Sequence, residues 1–107
     1  MADSDIQPLG PRDRQMYEAE YKHAAGLFKQ ASEEYSKSDN MFQKAEFQKV
    51  MDQAMNVMQE TVRELVRQDL QKQNEKIASD YANFQSNPNS QSLQQLEKDL
   101  DKARKSV

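Results

Sequence analysis

Residues 47–65, FQKVMDQAMNVMQETVREL, decide the fold class, because their apolar positions recur at the spacing of an α-helix. Six of these positions follow one another at alternating steps of four and three residues and form a heptad seam, the line of side chains that faces a neighbouring helix. They are Phe47, Met51, Ala54, Met58, Thr61 and Leu65. Other apolar residues flank this seam and widen the apolar arc: Val50, Met55, Val57 and Val62. A wide apolar arc predicts a helix that packs against more than one neighbour.

A second seam with the same spacing precedes this segment and predicts a helix over residues 12–36. Its apolar positions are Tyr17, Tyr21, Ala24, Phe28, Ala31 and Tyr35. Gly26 lies inside this helix, and we interpret it as tolerated there; close approach of another helix is the alternative. Residues 36–40, SKSDN, interrupt the pattern, and Ser38 or Asp39 is the expected cap of the next helix. So short a connection predicts an antiparallel hairpin.

Beyond Val66 the apolar seam continues more sparsely through Leu70, Ile77, Tyr81 and Phe84. Because no proline or glycine interrupts this part of the chain, we predict one long helix over residues 40–85. A bend within the polar residues 67–76 is the alternative. Residues 86–90, SNPNS, predict a turn, and a further apolar ladder predicts a third helix over residues 91–106.

The predicted fold is therefore all-α. It is an antiparallel helical hairpin with a long central helix and a short third C-terminal helix, packed like a coiled coil. We expect residues 1–10 to form a flexible N-terminal tail and residues 11–107 to form a single helical domain.

Composition excludes several classes of protein. The chain has 107 residues, a net charge of −3 and no cysteine, so neither a disulfide framework nor a thiolate nucleophile is available. The charges are interspersed, and without a basic stripe we expect neither nucleic acid nor a membrane surface as a partner. No apolar run approaches a membrane span of about 18 residues. Since residues 1–10 do not resemble a secretory signal, we expect a cytoplasmic protein; export by a signal-independent route is the alternative.

The sequence also lacks the residues that the common catalytic sites require. There is one histidine, and the two glycines stand apart, so neither a catalytic triad nor a phosphate-binding loop can be assembled. Glu20 and His23 have the Glu-x-x-His spacing of di-iron bundles, but no second such pair accompanies them. We predict a protein without catalytic, cofactor-binding or metal-binding residues; a metal-binding helical bundle is the remote alternative.

The methionine-rich segment indicates protein binding, because methionine adapts to irregular partner surfaces. Met51 and Met58 lie on the main seam and are expected in the core. Residues beside the seam are the predicted partner-binding flank: Met55, Val62, Val66 and Leu70. We expect a non-enzymatic protein-interaction protein, a small helical chaperone or adaptor that binds a helical segment of another protein in an oligomer or hetero-complex. The alternative is a self-assembling structural subunit.

Residues 87–96, NPNSQSLQQL, resemble the inter-helix turn of bacterial type III secretion needle subunits. In those subunits the turn is central and a long polymerising helix follows, whereas here the turn lies near the C-terminus. The whole chain, short, acidic and without cysteine or tryptophan, is similar to the small helical chaperones of the same secretion systems. This resemblance implies a helical hairpin that masks an aggregation-prone partner subunit.

Overall fold

The computed structural model describes residues 11–107, and its described side chains begin at Asp13. The predicted flexible tail over residues 1–10 lies outside the described residues. Within residues 11–107 the structure is all-helical, without strands. It contains four helices in this order: α1 Pro11–Lys37, α2 Met41–Leu65, α3 Gln68–Ser86 and α4 Ser90–Lys105.

The helices alternate in direction along the bundle. Three side-chain contacts join α1 to α3 in the same order along both helices: Tyr21 with Asn74, Phe28 with Tyr81, and Tyr35 with Phe84. These two helices therefore run in the same direction. Lys29 pairs with Asp101, and Glu33 faces Glu97, so α4 runs opposite to α1. Because α2 returns from α1 after three residues, the described chain is an up-down-up-down four-helix bundle.

The long central helix predicted over residues 40–85 is two helices in the structure. α2 ends at Leu65, Val66 adopts a left-handed conformation with φ 52° and ψ 45°, and α3 begins at Gln68. Neither glycine nor proline causes this break. It exists because the turn folds the apolar stripe of α3 back onto α1 and α2, where Leu70 and Ile77 are fully buried. A straight helix would leave that stripe in water, so tertiary packing overrides the local helical preference.

One apolar core runs through the bundle and draws on all four helices. Its largest fully buried apolar side chains are Tyr21, Phe28, Phe84, Met51, Met58, Leu70, Ile77, Leu96 and Leu100. The rings of Phe28 and Tyr81 meet edge to face, with centroids 4.8 Å apart. The expectation that Met51 and Met58 lie in the core is confirmed.

Asparagine side chains cap the N-termini of two of the helices. Asn40 caps α2, where its Oδ1 accepts hydrogen bonds from the backbone N–H groups of Phe42 and Gln43. The sequence had indicated Ser38 or Asp39 for this role, one or two residues too early. Asn89 caps α4 in a reciprocal arrangement with Ser92.

Candidate partner-binding groove at the α1–α2 turn

The four residues of the predicted partner-binding flank do not share a surface in the bundle. Met55, Val62 and Leu70 are 6%, 4% and 0% exposed, whereas Val66 is 82% exposed. The fold-back at Val66 explains the difference, because α3 packs against the side of α2 that would be open beside a straight helix. A partner cannot reach the first three side chains while the bundle is closed.

The burial of Met55 and Val62 determines what acidic substitutions in the flank should do. Met55→Asp together with Val62→Asp would introduce two carboxylates into the apolar core, where an unpaired charge costs several kcal/mol. We therefore expect this double variant to unfold the bundle rather than to abolish partner binding selectively.

Two large and strongly exposed apolar side chains instead lie next to each other on the first turn of α2. Met41 is 82% exposed and Phe42 is 84% exposed. The cap at Asn40 sets their position, since its side-chain Oδ1 accepts hydrogen bonds from the backbone N–H groups of Phe42 at 2.8 Å and Gln43 at 3.2 Å. Phe42 is thus presented to solvent by a hydrogen-bonded helix terminus.

Beside Phe42, the ends of α1 and α2 enclose an open groove of about 450 Å³. Its lining combines two aromatic rings with charged and polar side chains: Glu34, Lys37, Ser38, Phe42, Gln43, Glu46 and Phe47. Phe47 is half-buried and so links the groove to the body of the bundle. The groove therefore offers an apolar floor to a side chain that enters from solvent.

Charged residues edge this groove. Glu34 and Glu46 are exposed, as is Lys37, so the rim carries two negative charges and one positive charge. Within the part of the chain that the structure describes, none of these three side chains forms an ion pair. Nearby, the ammonium of Lys44 lies 5.0 Å from the centre of the Tyr35 ring. The rim can thus pair with a basic group on a bound segment.

Sequence reasoning did not single out Phe42, because Phe42 lies off the heptad seam of α2. The available signal was local: two large apolar residues, Met41 and Phe42, directly follow the capping segment at a position that the seam does not use. In the folded bundle both side chains lie outside the core.

A second notable cluster joins α3 to α4, where the carboxyl groups of Asp80 and Asp99 face each other. Burial, followed by the hydrogen bond to Asp99, raises the pKa of Asp80 to about 7. Burial alone would raise the pKa of Asp99, but hydrogen bonds from Asp80 and Gln95 and the charge of Lys76 lower it below its ordinary value. The pair therefore shares one proton near neutral pH, which lets Asp80 donate a hydrogen bond to an ionised Asp99.

The remote metal-binding alternative involved Glu20 and His23, and both side chains are exposed on α1. Among the described residues, no three histidine, aspartate or glutamate side chains gather closely enough to hold a metal ion. None of the helices within residues 11–107 has the length and apolar character needed to cross a membrane.

Comparison of the chain with protein-family models, with curated proteins and with solved structures found no match. The resemblance to type III secretion chaperones stays a prediction.

Proposed function

We propose that this chain is a non-enzymatic protein-binding module whose groove at the α1–α2 turn holds a segment of another polypeptide. The observation that carries the proposal is the exposure of Phe42, at 84%, beside Met41, at 82%, on the rim of an open groove. Scattered exposed apolar residues are ordinary on protein surfaces, but an exposed phenylalanine that lines a concave groove, with an exposed methionine next to it in the chain, is typical of an interaction site.

The energetics favour this interpretation. The core is already formed by side chains from all four helices, so the fold does not need Phe42 for stability. Covering its ring with a partner would remove apolar surface from water and contribute about 1.5–3 kcal/mol. A single contribution of that size is characteristic of an aromatic anchor at an interface.

The groove also suggests what the partner looks like. One bulky apolar side chain would insert between Phe42 and Phe47, and a basic residue beside it would pair with Glu34 or Glu46. An amphipathic helix supplies such a combination on one face, and its recognition would fit the role of a small chaperone or adaptor. A partner from a bacterial secretion apparatus is the specific version of this proposal that the resemblance of residues 87–96 suggests.

Site-specific photo-crosslinking in the native cells tests the location of the site. A photoreactive phenylalanine analogue at Phe42 should crosslink one protein in stoichiometric amount. The same analogue at Met16 is the matched control, because Met16 is also an exposed apolar residue, at 58%, and lies about 27 Å along α1 from Glu34. Equal crosslinking from both positions would refute the groove as the binding site.

Calorimetric titration with the purified partner that crosslinking identifies then tests whether Phe42 anchors the complex. Phe42→Glu should weaken the affinity at least tenfold, whereas Met16→Glu should leave it within a factor of two. Circular dichroism must show that both variants remain helical. A crosslink from Phe42 only to a second copy of the chain would instead support the self-assembling subunit.

A further inference from the structure

The connection between α2 and α3 contains the one strained backbone position of the described chain. It consists of Val66 and Arg67, and Val66 is the only non-glycine residue within residues 11–107 that has a positive φ. Helices that end in a left-handed residue normally use glycine or asparagine there, because a Cβ atom clashes in this conformation. For a β-branched residue such as valine, the conformation is a genuine outlier.

The side-chain contacts that this turn gains in return for the strain are the ion pairs of Arg67 with Glu18 and Asp69. The side chain of Val66 is 82% exposed, so its conformation buries no apolar surface. Arg67, at the N-cap of α3, makes no side-chain capping hydrogen bond. In a continuous helix, the first N–H groups of α3 would instead bond to the last carbonyl groups of α2. With no glycine or proline in the connection, the local sequence favours a straight helix.

What closes the bundle is packing between two hairpins, α1–α2 and α3–α4. Tyr21 donates a hydrogen bond to Asn74, and the Tyr81 hydroxyl lies 2.5 Å from the Asp52 carboxylate. Arg67 also pairs with Glu18 at 2.7 Å. The Tyr21 and Tyr81 contacts join one hairpin to the other, and the α3–α4 hairpin of a second copy could make them equally well.

We propose that two copies of this chain exchange their α3–α4 hairpins, with α2 and α3 of each copy joined as one continuous helix over residues 41–86. Each α3–α4 hairpin then packs on the α1–α2 hairpin of the other copy, so the core of both bundles is preserved. The positive φ at Val66 disappears. The continuous helix would be about 69 Å long at 1.5 Å per residue.

The directions of the helices permit this exchange. α2 runs towards the end of the bundle where α3 begins, so a straight α2–α3 helix leaves the bundle at that end. In a second copy, related by a two-fold axis and placed end to end, the α2–α3 helix runs in the opposite direction. The two long helices cross near their Val66 residues, and these side chains, which are exposed in the closed form, meet at the axis.

Light scattering after chromatography tests the exchange. The full chain, unfolded in urea and refolded at millimolar concentration, should yield a dimer of about twice the 12.4 kDa chain mass. Val66→Gly should lower the dimer fraction at least tenfold, because glycine adopts the left-handed turn without strain. Glu64→Gly is the matched control, since it places glycine at an exposed position within α2 and should change the fraction less than twofold.

A distance measurement distinguishes hairpin exchange from ordinary association. Gln59 and Glu75 line one groove between α2 and α3, so spin labels at Gln59→Cys and Glu75→Cys lie close together in the closed chain. Doubly labelled chain is refolded with excess unlabelled chain, and the dimer is isolated. In a continuous helix the two Cα atoms lie about 24 Å apart.

Three results would overturn the proposal: a short distance within the isolated dimer, a parent chain that stays monomeric after concentrated refolding, or a dimer fraction unchanged by Val66→Gly. None of them bears on the groove at Phe42, which lies on the opposite end of α2 from Val66.

Discussion

The hydroxyl of Tyr21 donates a 3.0 Å hydrogen bond to Oδ1 of Asn74, and this bond crosses the bundle from α1 to α3. Both side chains are buried, with exposures of 0% and 5%. Burial raises the pKa of Tyr21 above its ordinary value, so the hydroxyl keeps the proton that it donates. The bond thus aligns two helices that sit diagonally in the bundle.

We expect Tyr21→Phe to destabilise the bundle by about 1–3 kcal/mol, because it leaves the buried Asn74 oxygen without a donor. Urea unfolding followed by circular dichroism measures this loss. In the double variant Tyr21→Phe with Asn74→Leu no partner is left unsatisfied, so the loss should be smaller than the sum of the two single losses. Strictly additive losses would show that the two side chains are not coupled.

The Asp80–Asp99 pair predicts a pH dependence of stability. The pKa of Asp80 is raised from 3.8 to about 7 on folding, so the folded state holds more protons than the unfolded chain across that range. The contribution of Asp80 to stability is complete below about pH 4 and is lost as the pH rises through 7. Because Asp80 is partly exposed, we expect a loss of about 1–2 kcal/mol rather than the full value of the shift.

Asp80→Asn should remove most of this dependence, because its amide can donate to Asp99 at any pH. Urea midpoints at pH 5 and pH 8.5 measure the difference for the parent, for this variant and for Asp39→Asn. Asp39 is exposed in the α1–α2 connection and serves as the control. A parent chain whose midpoint does not fall on the alkaline side would contradict the shared proton.

Phe28 and Phe42 lie in opposite environments, the core and the surface, so their substitutions should have different effects. Phe28 is 0% exposed and packs edge to face on Tyr81, so Phe28→Ala should cost about 3–5 kcal/mol of unfolding free energy. Phe42 is 84% exposed, and Phe42→Ala should change that free energy by less than about 0.5 kcal/mol. Thermal and urea unfolding measure both; a large loss from Phe42→Ala would assign its ring to the fold and weaken the proposed groove.

Gly26→Ala should stabilise α1. The three nearest atoms that a Cβ atom at this position would meet belong to the side chain of Arg104, at 3.7 Å or more, which is ordinary van der Waals contact. Replacing glycine within a helix should therefore contribute about 0.5–1 kcal/mol. A higher urea midpoint would support our interpretation that Gly26 is merely tolerated, whereas a lower one would mean that α4 needs the space.

The candidate site was only partly accessible to sequence reasoning. Periodicity correctly assigned Met51 and Met58 to the core, because they repeat along the seam that faces α1. It could not assign Met55 and Val62, since a wide apolar arc shows that a second neighbour exists without saying whether it belongs to the same chain. Phe42 has no periodic signature; its place directly after the capping segment is a weak local signal, and its exposure in the folded bundle is what distinguishes it.

The sequence by itself determined the helical class, the apolar stripes of all four helices and the turns around residues 38–40 and 87–89, because spacing and turn-forming residues are local properties. Only the tertiary structure decided the break at Val66. No residue there favours a turn, and the chain adopts a strained left-handed conformation because burying Leu70, Ile77, Tyr81 and Phe84 outweighs its cost of about 1–2 kcal/mol. Such a balance between one local strain and many distant contacts cannot be found in any short window of sequence.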